Sequence, residues 1–410
     1  MLLAPLAALV LTSIPCPSQA GAPAEPVPGA WEASITSPGG PVEFGLEIEH
    51  DADGWSATIR NGPEKLPVGK VNLTDGVMRF DLWPYESHLN ATIAADGRSM
   101  QGTWLRTRGN GEPTRMVFQA SLPKVPTAPR NGISPVLKER WKLQFESASD
   151  HSVALLYQSG REVAGTILTT VGDYRFLSGY LDGITLTLSA FDGAHAFRFV
   201  CKLQSDGSMQ GDFWSRDTWH ETFTATPDDK IEMPDPYGLS TWTGKVPLAE
   251  LSFPDPDGEQ HTLDDPAYAG SARLIVLFGT WCPNCYDETR YLNELEERYG
   301  PRGLSILGLA FEYEDEFAAQ AKVVKHYIER MKVSYPVLIA GPNDKAKASA
   351  AFPALDRVVA YPTTLFLDAQ GTVQAVHTGF SGPATGPRNA LLRREFEARI
   401  ESLLAQPEDR

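Results

Sequence analysis

The sequence predicts a multidomain protein in which an all-β N-terminal part, built from two repeated up-and-down β units, precedes an α/β domain. Its 410 residues are too many for one ordinary domain. Residues 29–227 repeat a pattern of short alternating stretches separated by turns, which is typical of antiparallel sheets. From about residue 247 onward, continuous apolar runs alternate with stretches of helical periodicity, as expected for a sheet covered by helices on both faces.

The repeat is visible in the sequence as two related segments. "DGRSMQGTWLR", which starts at Asp96, recurs as "DGSMQGDFWSR", which starts at Asp206, and Trp31 and Trp141 are separated by the same interval of about 110 residues. Within each copy, alternating stretches such as "VEFGLEIEH" and "ITLTLSAF" are broken by DG, NG or SG turns, a strong hairpin signal. We count roughly eight strands per copy and expect each copy to form a small up-and-down barrel or a curled sheet.

Proline-rich segments separate these units, because proline cannot continue a sheet. The predicted organisation is a signal peptide at 1–20, β unit 1 at 29–123, a proline-rich linker at 124–137, β unit 2 at 138–227, a second linker at 228–246 and the α/β domain at 247–408.

The α/β domain has clear element signals. "ARLIVLFGT" (272–280) and "LSILGLAFE" (304–312) read as strands buried on both faces. A helix follows the first of them and ends at the glycine and proline of "ERYGP", and "EFAAQAKVVKHYIERMKV" has the apolar spacing of an amphipathic helix. "YPVLIA", a hairpin around "DAQG" and a last helix complete the domain.

Composition and the N-terminus bear on location and partners. A net charge of −16 argues against nucleic acid as a partner. The first twenty residues form an apolar run too short to span a bilayer, followed by small residues up to Ala20, which indicates a secretory signal and a periplasmic or otherwise exported protein. No Lys or Arg precedes this run, so the signal is atypical or the true start lies upstream. A cytoplasmic protein and a lipid anchor on Cys16 are weaker alternatives, the latter because Pro15 precedes the cysteine.

After signal removal three cysteines remain, too few for a disulfide scaffold. Cys201 lies in "HAFRFVCKL", whose alternation predicts a half-buried strand with this thiol packed inward and inert. Cys282 and Cys285 form a CxxC pair.

Several roles of a CxxC pair are disfavoured here. Haem attachment requires a histidine directly after the second cysteine, but Tyr286 follows. Structural zinc requires two more ligands, and His261 and His326 have no partner at ligand spacing, so no metal is expected. A permanent disulfide between the two cysteines would close too small a loop to constrain the unfolded chain.

The position of the pair favours redox chemistry. Cys282 stands where a buried strand ends and a helix begins, so the helix N-terminus should favour an accessible, low-pKa thiolate that attacks disulfides. Cys285, one turn later, is placed to resolve the mixed disulfide. Pro283 is tolerated in the first helical turn, because its missing N–H would have no partner there.

These residues carry a family resemblance. "WCPNC" after an apolar strand, with "YPTTLFLDAQG" about 80 residues later, resembles the thioredoxin superfamily and, within it, the TlpA/ResA-type thiol–disulfide oxidoreductases of the bacterial cell envelope, over residues 247–405. The resemblance implies that Pro362 is cis and lies against the CxxC, and that Tyr361 offers its backbone to a substrate peptide. It also implies disulfide-containing substrate proteins, a membrane thiol electron donor, the reductase direction and no cofactor.

The resemblance further suggests residues that assist the cysteines. Glu312 matches a family glutamate that could exchange a proton with Cys285, and Glu288 is the competing candidate for this relay. Trp281 is expected to shield the thiol, and Asn284, with Pro283, belongs to the substrate-docking surface.

Two other functions are weighed against this one. The β units could be the functional part, binding an unknown ligand or protein, with an accessory redox domain attached. A thiol peroxidase is the minor alternative, because Gly279 occupies the place three residues before Cys282 where such enzymes have Thr or Ser, and Thr280 is one place too close.

Overall fold

The structure is a computed structural model that describes residues 24–107, 111–123 and 135–405. The predicted signal peptide, with Cys16, and residues 124–134 of the first linker lie outside the described residues. None of the helices in the described part is both long and apolar enough to cross a membrane.

The first β unit is a curled antiparallel sheet of nine strands in the order β4-β3-β2-β1-β9-β8-β7-β6-β5. Its strands are β1 (Gly29–Ser37), β2 (Gly40–Asp51), β3 (Gly54–Asn61), β4 (Glu64–Pro67), β5 (Val71–Thr74), β6 (Val77–Asp81), β7 (Ser87–Ile93), β8 (Ser99–Arg106) and β9 (Thr114–Ser121). The segment between β4 and β5 connects the two ends of this sheet. The N–H of Val68 donates to the carbonyl of Ala57 on β3, and the N–H of Gly69 donates to the carbonyl of Asp81 on β6.

The second β unit closes into an up-and-down barrel of eight strands, because β11 pairs with both β10 and β12 and β18 pairs with β10; β13 pairs beside β12. Its strands are β10 (Arg140–Phe145), β11 (Ser152–Ser159), β12 (Glu162–Thr169), β13 (Gly172–Asp173), β14 (Leu177–Asp182), β15 (Thr185–Phe191), β16 (Ala196–Leu203), β17 (Met209–Ser215) and β18 (Trp219–Pro227). The predicted all-β N-terminal part is therefore confirmed, and closure gives each of the eight barrel strands a partner on both sides.

The sequence repeat is matched by repeated contacts. Trp31 on β1 and Trp141 on β10 are both buried. Their indole N–H groups donate to the carbonyls of Val27 and Lys138, at 3.0 and 2.8 Å. Each tryptophan therefore ties the first strand of its unit to the chain that enters it, with its polar group satisfied.

The presence of glycine in the recurring "MQG" segment has a steric explanation in both units. A Cβ on Gly102 would lie 1.8 Å from the carbonyl oxygen of Asn90, and one on Gly211 would lie 2.5 Å from that of Val200. Only glycine permits this close approach of neighbouring strands.

The α/β domain contains a five-stranded sheet in the order β23-β22-β21-β24-β25. Strands β21, β22 and β23 are mutually parallel, β24 is antiparallel to β21, and β25 is antiparallel to β24. Its elements are β19 (Ser252–Pro254), β20 (Gln260–Thr262), β21 (Ala272–Phe278), α1 (Pro283–Tyr299), β22 (Leu304–Glu312), α2 (Phe317–Met331), β23 (Val337–Pro342), α3 (Lys345–Ala351), β24 (Thr363–Asp368), β25 (Val373–Thr378) and α4 (Pro387–Leu404). Every residue of β21 is buried, as its apolar run predicts.

The second linker, 228–246, lies along the α/β domain. The ring of Tyr237 packs edge-on against His377 on β25 and lies under the guanidinium of Arg399 on α4, 4.1 Å from its carbon. Trp242 forms an isolated β-bridge with Leu355. This segment is therefore docked rather than extended, and the predicted domain boundaries stay predictions.

A buried ionic cluster joins all three folded units. Arg175, which follows β13 and is 5% exposed, donates to Glu64 of the first unit at 2.6 Å and to Asp287 on α1 at 2.9 Å. Its Nε lies 3.8 Å from a carboxylate oxygen of Asp192, which follows β15. We call these four residues the Arg175 cluster. Because both β units and the α/β domain contribute to it, their relative positions are coupled.

We predict that Arg175→Met destabilises the protein and loosens the units from one another. The substitution leaves buried carboxylates without a counter-charge, which typically costs about 3–5 kcal/mol. Thermal unfolding should show a lower melting temperature, and limited proteolysis should separate the β units from the α/β domain.

The control is Arg79→Met, which removes the solvent-exposed Arg79–Asp81 pair on β6 and should cost less than about 1 kcal/mol. Equal melting temperatures for the two variants would show that the Arg175 cluster does not hold the units together.

Candidate active site

The CxxC pair lies at the junction between the end of β21 and the start of α1. The strand ends at Phe278, the helix begins at Pro283, and Cys282 is the residue that caps the helix. Its sulfur accepts a hydrogen bond from the backbone N–H of Cys285 at 3.4 Å. The helix N-terminus therefore directs an unpaired N–H group at this sulfur, as the sequence predicts, and such a donor stabilises a thiolate.

Both active-site cysteines are buried free thiols, Cys282 being 5% and Cys285 1% exposed. The expectation that Cys282 is accessible is therefore wrong, and residues of the second β unit line the cleft in front of its sulfur. The sulfur lies 3.6 Å from the carbonyl oxygen of Tyr361, whose peptide bond to Pro362 is cis, as the resemblance implies. Burial, followed by the neighbouring Cys282, raises the pKa of Cys285 well above its ordinary value.

Two arginines of the β units hold the backbone on either side of Cys282. Arg106, at the end of β8 in the first unit, donates to the carbonyl of Trp281 at 3.3 Å. Arg175 of the second unit donates to the carbonyl of Pro283, also at 3.3 Å. The CxxC loop is thus fixed by residues far away in sequence, which no local motif could reveal.

The side chains next to the cysteines are held by neighbours. Trp281 is half-buried, and its indole N–H donates to the carbonyl of Phe311 at 2.9 Å. Asn284 packs against the second unit, where a Cβ on Gly172 would lie 1.9 Å from its amide nitrogen. Asn284, predicted to dock substrate, therefore touches Gly172 of the protein's own barrel.

Glu312, the predicted proton relay, closes β22 and is buried. Both carboxyl oxygens bond to Thr280, one to its backbone N–H at 3.0 Å and the other to its hydroxyl at 2.7 Å. Burial raises the pKa of Glu312 to about 8, while the two bonds from Thr280 act in the opposite direction. Glu312 therefore anchors the loop that leads to the CxxC.

Glu288, the competing candidate, is buried on α1 rather than solvated. One carboxyl oxygen accepts from the hydroxyl of Thr364 at 2.7 Å, and the other has no hydrogen-bond partner among the described residues. Burial raises the pKa of Glu288 to about 8, and its negative charge contributes to the raised pKa of Cys285. Glu288 thus has a free oxygen and interacts electrostatically with the resolving thiol.

A lysine that the sequence analysis missed belongs to the same region. Lys345 starts α3, a helix too short to give a periodic signal, and its ammonium group donates to the carbonyl of Val359. Burial lowers the pKa of Lys345, and the negative charge of Cys282 opposes that shift. Lys345 therefore supplies a positive charge near the nucleophile.

The C-terminal part of the chain is similar in sequence to known proteins. Residues 244–376 match the model of the AhpC/TSA family. Thiol-disulfide oxidoreductase ResA of Geobacillus thermodenitrificans is 29% identical over 126 residues, 30% of this chain and 63% of the relative. Thioredoxin-like protein YneN of Bacillus subtilis is 27% identical over 152 residues, 37% of this chain and 75% of that protein. The C-terminal domain is therefore similar in sequence to thiol–disulfide oxidoreductases.

The thioredoxin-like domain also has counterparts among solved structures. A thiol:disulfide interchange protein of the thioredoxin family from Chlorobium tepidum superposes with a TM-score of 0.29 at 24% identity, over 38% of this chain and 92% of that one. The match to ResA spans 63% of that relative's length. Both β units lie outside the residues matched by the family model.

We predict that the two buried glutamates make the thioredoxin-like domain less stable as pH rises. Both have a pKa of about 8, above their ordinary value of 4.5, so between these pH values the folded state keeps protons that the unfolded state releases. The free energy of unfolding should therefore fall by about 1.4 kcal/mol per pH unit for each group across that window.

The measurement is chemical denaturation at pH 5 and pH 8 for the native protein, Glu288→Gln and Glu312→Gln. In each variant the free energy of unfolding should depend less on pH, because glutamine does not titrate. Glu250→Gln, at an exposed position, is the control and should leave the pH dependence of the free energy of unfolding unchanged. If Glu288→Gln and Glu312→Gln both kept the pH dependence of the native protein, the buried carboxyls would not be protonated in the folded state.

Proposed function

We propose that this protein is an exported thiol–disulfide oxidoreductase that reduces disulfides of cell-envelope proteins through Cys282 and Cys285. The observation that carries the proposal is the backbone N–H of Cys285 directed at the sulfur of Cys282, beside the carbonyl of Tyr361. The similarity to ResA supports the reaction class. The apolar first twenty residues support export.

The reaction follows from the order of the two thiols. The thiolate of Cys282 attacks one sulfur of the substrate disulfide, that S–S bond breaks, and the released substrate sulfur takes up a proton. Cys285 then loses its proton and attacks the sulfur of Cys282, which releases the second substrate thiol. Two electrons pass from the protein dithiol to the substrate disulfide, and an envelope thiol donor at the membrane returns them.

Glu288 is our candidate for the proton acceptor of Cys285. A buried thiol with a raised pKa needs a nearby base before it can attack. One oxygen of Glu288 has no hydrogen-bond partner in the described part of the chain, whereas both oxygens of Glu312 are bonded to Thr280. We therefore propose that Glu312 positions the loop, and the direct relay through Glu312 stays a prediction.

The alternative in which the β units act separately from the redox domain is less favoured by this geometry. Arg106 and Arg175 of the two units bond to the carbonyls that flank Cys282. The units therefore support the reacting loop. A separate ligand for them stays a prediction.

We predict that Cys282→Ser reduces disulfide reduction to the uncatalysed rate, while Cys285→Ser traps a mixed disulfide with substrate. The first variant lacks the nucleophile and the second lacks the resolving thiol. Non-reducing mass spectrometry after mixing with a peptide disulfide detects the trapped species. Cys201→Ser is the control, because Cys201 is buried in the second barrel, and should react like the native protein.

The direction of electron flow is measured by equilibrating the native protein with defined thiol–disulfide buffers. A reductase should have a reduction potential of about −220 to −270 mV. A value nearer about −120 mV would instead identify an oxidant that installs disulfides.

We predict that Glu288→Gln slows the resolving step by about a hundredfold, the usual contribution of a general base, and leaves the attack of Cys282 unchanged. Stopped-flow mixing with an aromatic disulfide separates the two steps, because the first thiol is released in the attack and the second in resolution. Thr364→Val, which removes only the hydrogen bond to Glu288, is the matched variant and should have a smaller effect. A resolving rate unaffected by Glu288→Gln would remove Glu288 from the mechanism.

A further inference from the structure

The open end of the second barrel faces the CxxC pair across a cleft of about 810 Å³. The thioredoxin-like domain contributes Trp281, Cys282 and Tyr361 to one wall. The second barrel contributes polar residues and a group of five aromatic residues, namely Phe145, Tyr174, Phe197, Phe213 and Trp219. A nucleophilic sulfur and an aromatic surface from another unit therefore share one cleft.

Most of this aromatic wall is preorganised by ring packing. The ring of Tyr174 lies 5.0 Å from that of Phe197 and 5.3 Å from that of Phe213. Phe197 and Phe213 are buried, so their rings form the base of the barrel mouth. Such rigid aromatic surfaces bind apolar groups with little loss of conformational entropy.

Trp219, at the start of β18, stands at the rim of the cleft and is 49% exposed. Its indole N–H donates to Glu221 at 2.9 Å, which fixes the direction of the ring. A large aromatic side chain that is oriented, half-exposed and in the same cleft as the Cys282 thiol is well placed to contact a bound molecule.

Arg216, on the turn between β17 and β18, adds a polar feature to the same wall. Its Nε is buried and has no hydrogen-bond partner among the described residues. Burying an unpaired guanidinium N–H is unfavourable, so an oxygen acceptor from a bound molecule would satisfy it. Lys345 also lines the cleft, as do the carboxylates of Asp150, Asp173 and Glu221, so the cleft holds charges of both signs.

We propose that the mouth of the second barrel is a substrate-recognition site for extended peptide segments that carry a disulfide next to a large apolar side chain. This inference rests on the proposed function. The apolar side chain packs against Trp219 and Phe213, and an oxygen of the peptide accepts from Arg216. The substrate sulfur then lies above Cys282.

The shape of the cleft selects this class of substrate. Cys282 is 5% exposed and lies beneath the barrel, so a flat folded surface cannot bring its disulfide to the sulfur. Cavities of about 300–1,000 Å³ hold ligands that are largely enclosed, and a few extended residues fill such a space. A small disulfide would leave the aromatic wall uncovered.

The test uses the full-length protein and two linear synthetic octapeptides, each with one cysteine that is disulfide-bonded to free cysteine. They differ only in the residue before the peptide cysteine, Trp in one and Ser in the other. The Trp peptide should have a kcat/KM about tenfold higher or more, as expected from burying an aromatic side chain. Bis(2-hydroxyethyl) disulfide serves as the reference substrate for both.

Substitutions in the second barrel test whether the preference for the Trp peptide arises there. Trp219→Ala should remove most of the difference between the peptides, and Arg216→Gln should raise KM for both alike. Tyr157→Ala is the matched control, because Tyr157 is a similarly exposed aromatic residue of the same barrel outside the cleft, and it should keep the native preference.

The outcomes separate this inference from the proposed function. Equal reduction of the two peptides by the native protein, or a preference that survives Trp219→Ala, would overturn the recognition site while leaving the reductase intact. If neither peptide nor bis(2-hydroxyethyl) disulfide were reduced, the proposed function itself would fail.

Discussion

The geometry of the active site depends on one buried guanidinium. Arg175 binds a carboxylate from the first β unit, lies beside one from its own unit and binds one from α1, and it also donates to the carbonyl of Pro283. The orientation of the CxxC helix is therefore determined together with the packing of both β units. A buried cation with several carboxylate partners is favourable only when its geometry is maintained. Movement of any one unit would therefore change the position of the backbone next to Cys282.

This arrangement explains why the reacting thiols are more enclosed than the strand-to-helix motif alone suggests. The helix N-terminus supplies N–H donors, which is a property of the thioredoxin-like domain itself. The covering wall comes from the second barrel, and the loop anchor comes from Glu312 through Thr280. Enclosure lowers the local dielectric, which strengthens charge interactions and makes the protonation of Glu288 matter for Cys285.

Much of the fold could be predicted from local patterns. The apolar run predicts β21, Cys282 and Pro283 mark the start of α1, and the repeated "MQG" segments indicate two related β units. Contacts between units could not be predicted, because Arg106 lies 175 residues before the carbonyl that it bonds. The burial of Glu288 depends on packing around α1 rather than on its own spacing, and α3 is too short to show periodicity.

The cleft beneath the second barrel has a kinetic consequence. Cys282 lines this cleft beside Trp281 and Tyr361, and a molecule that exchanges electrons with its sulfur must occupy the space in front of it. Under the proposed function, the oxidised partner and the donor that recharges the dithiol therefore compete for one position and cannot form a ternary complex. Turnover by the proposed mechanism would be a ping-pong cycle, in which each product departs before the next reactant enters. The second barrel, which narrows the access to Cys282, would thereby also determine the order in which the reactants bind.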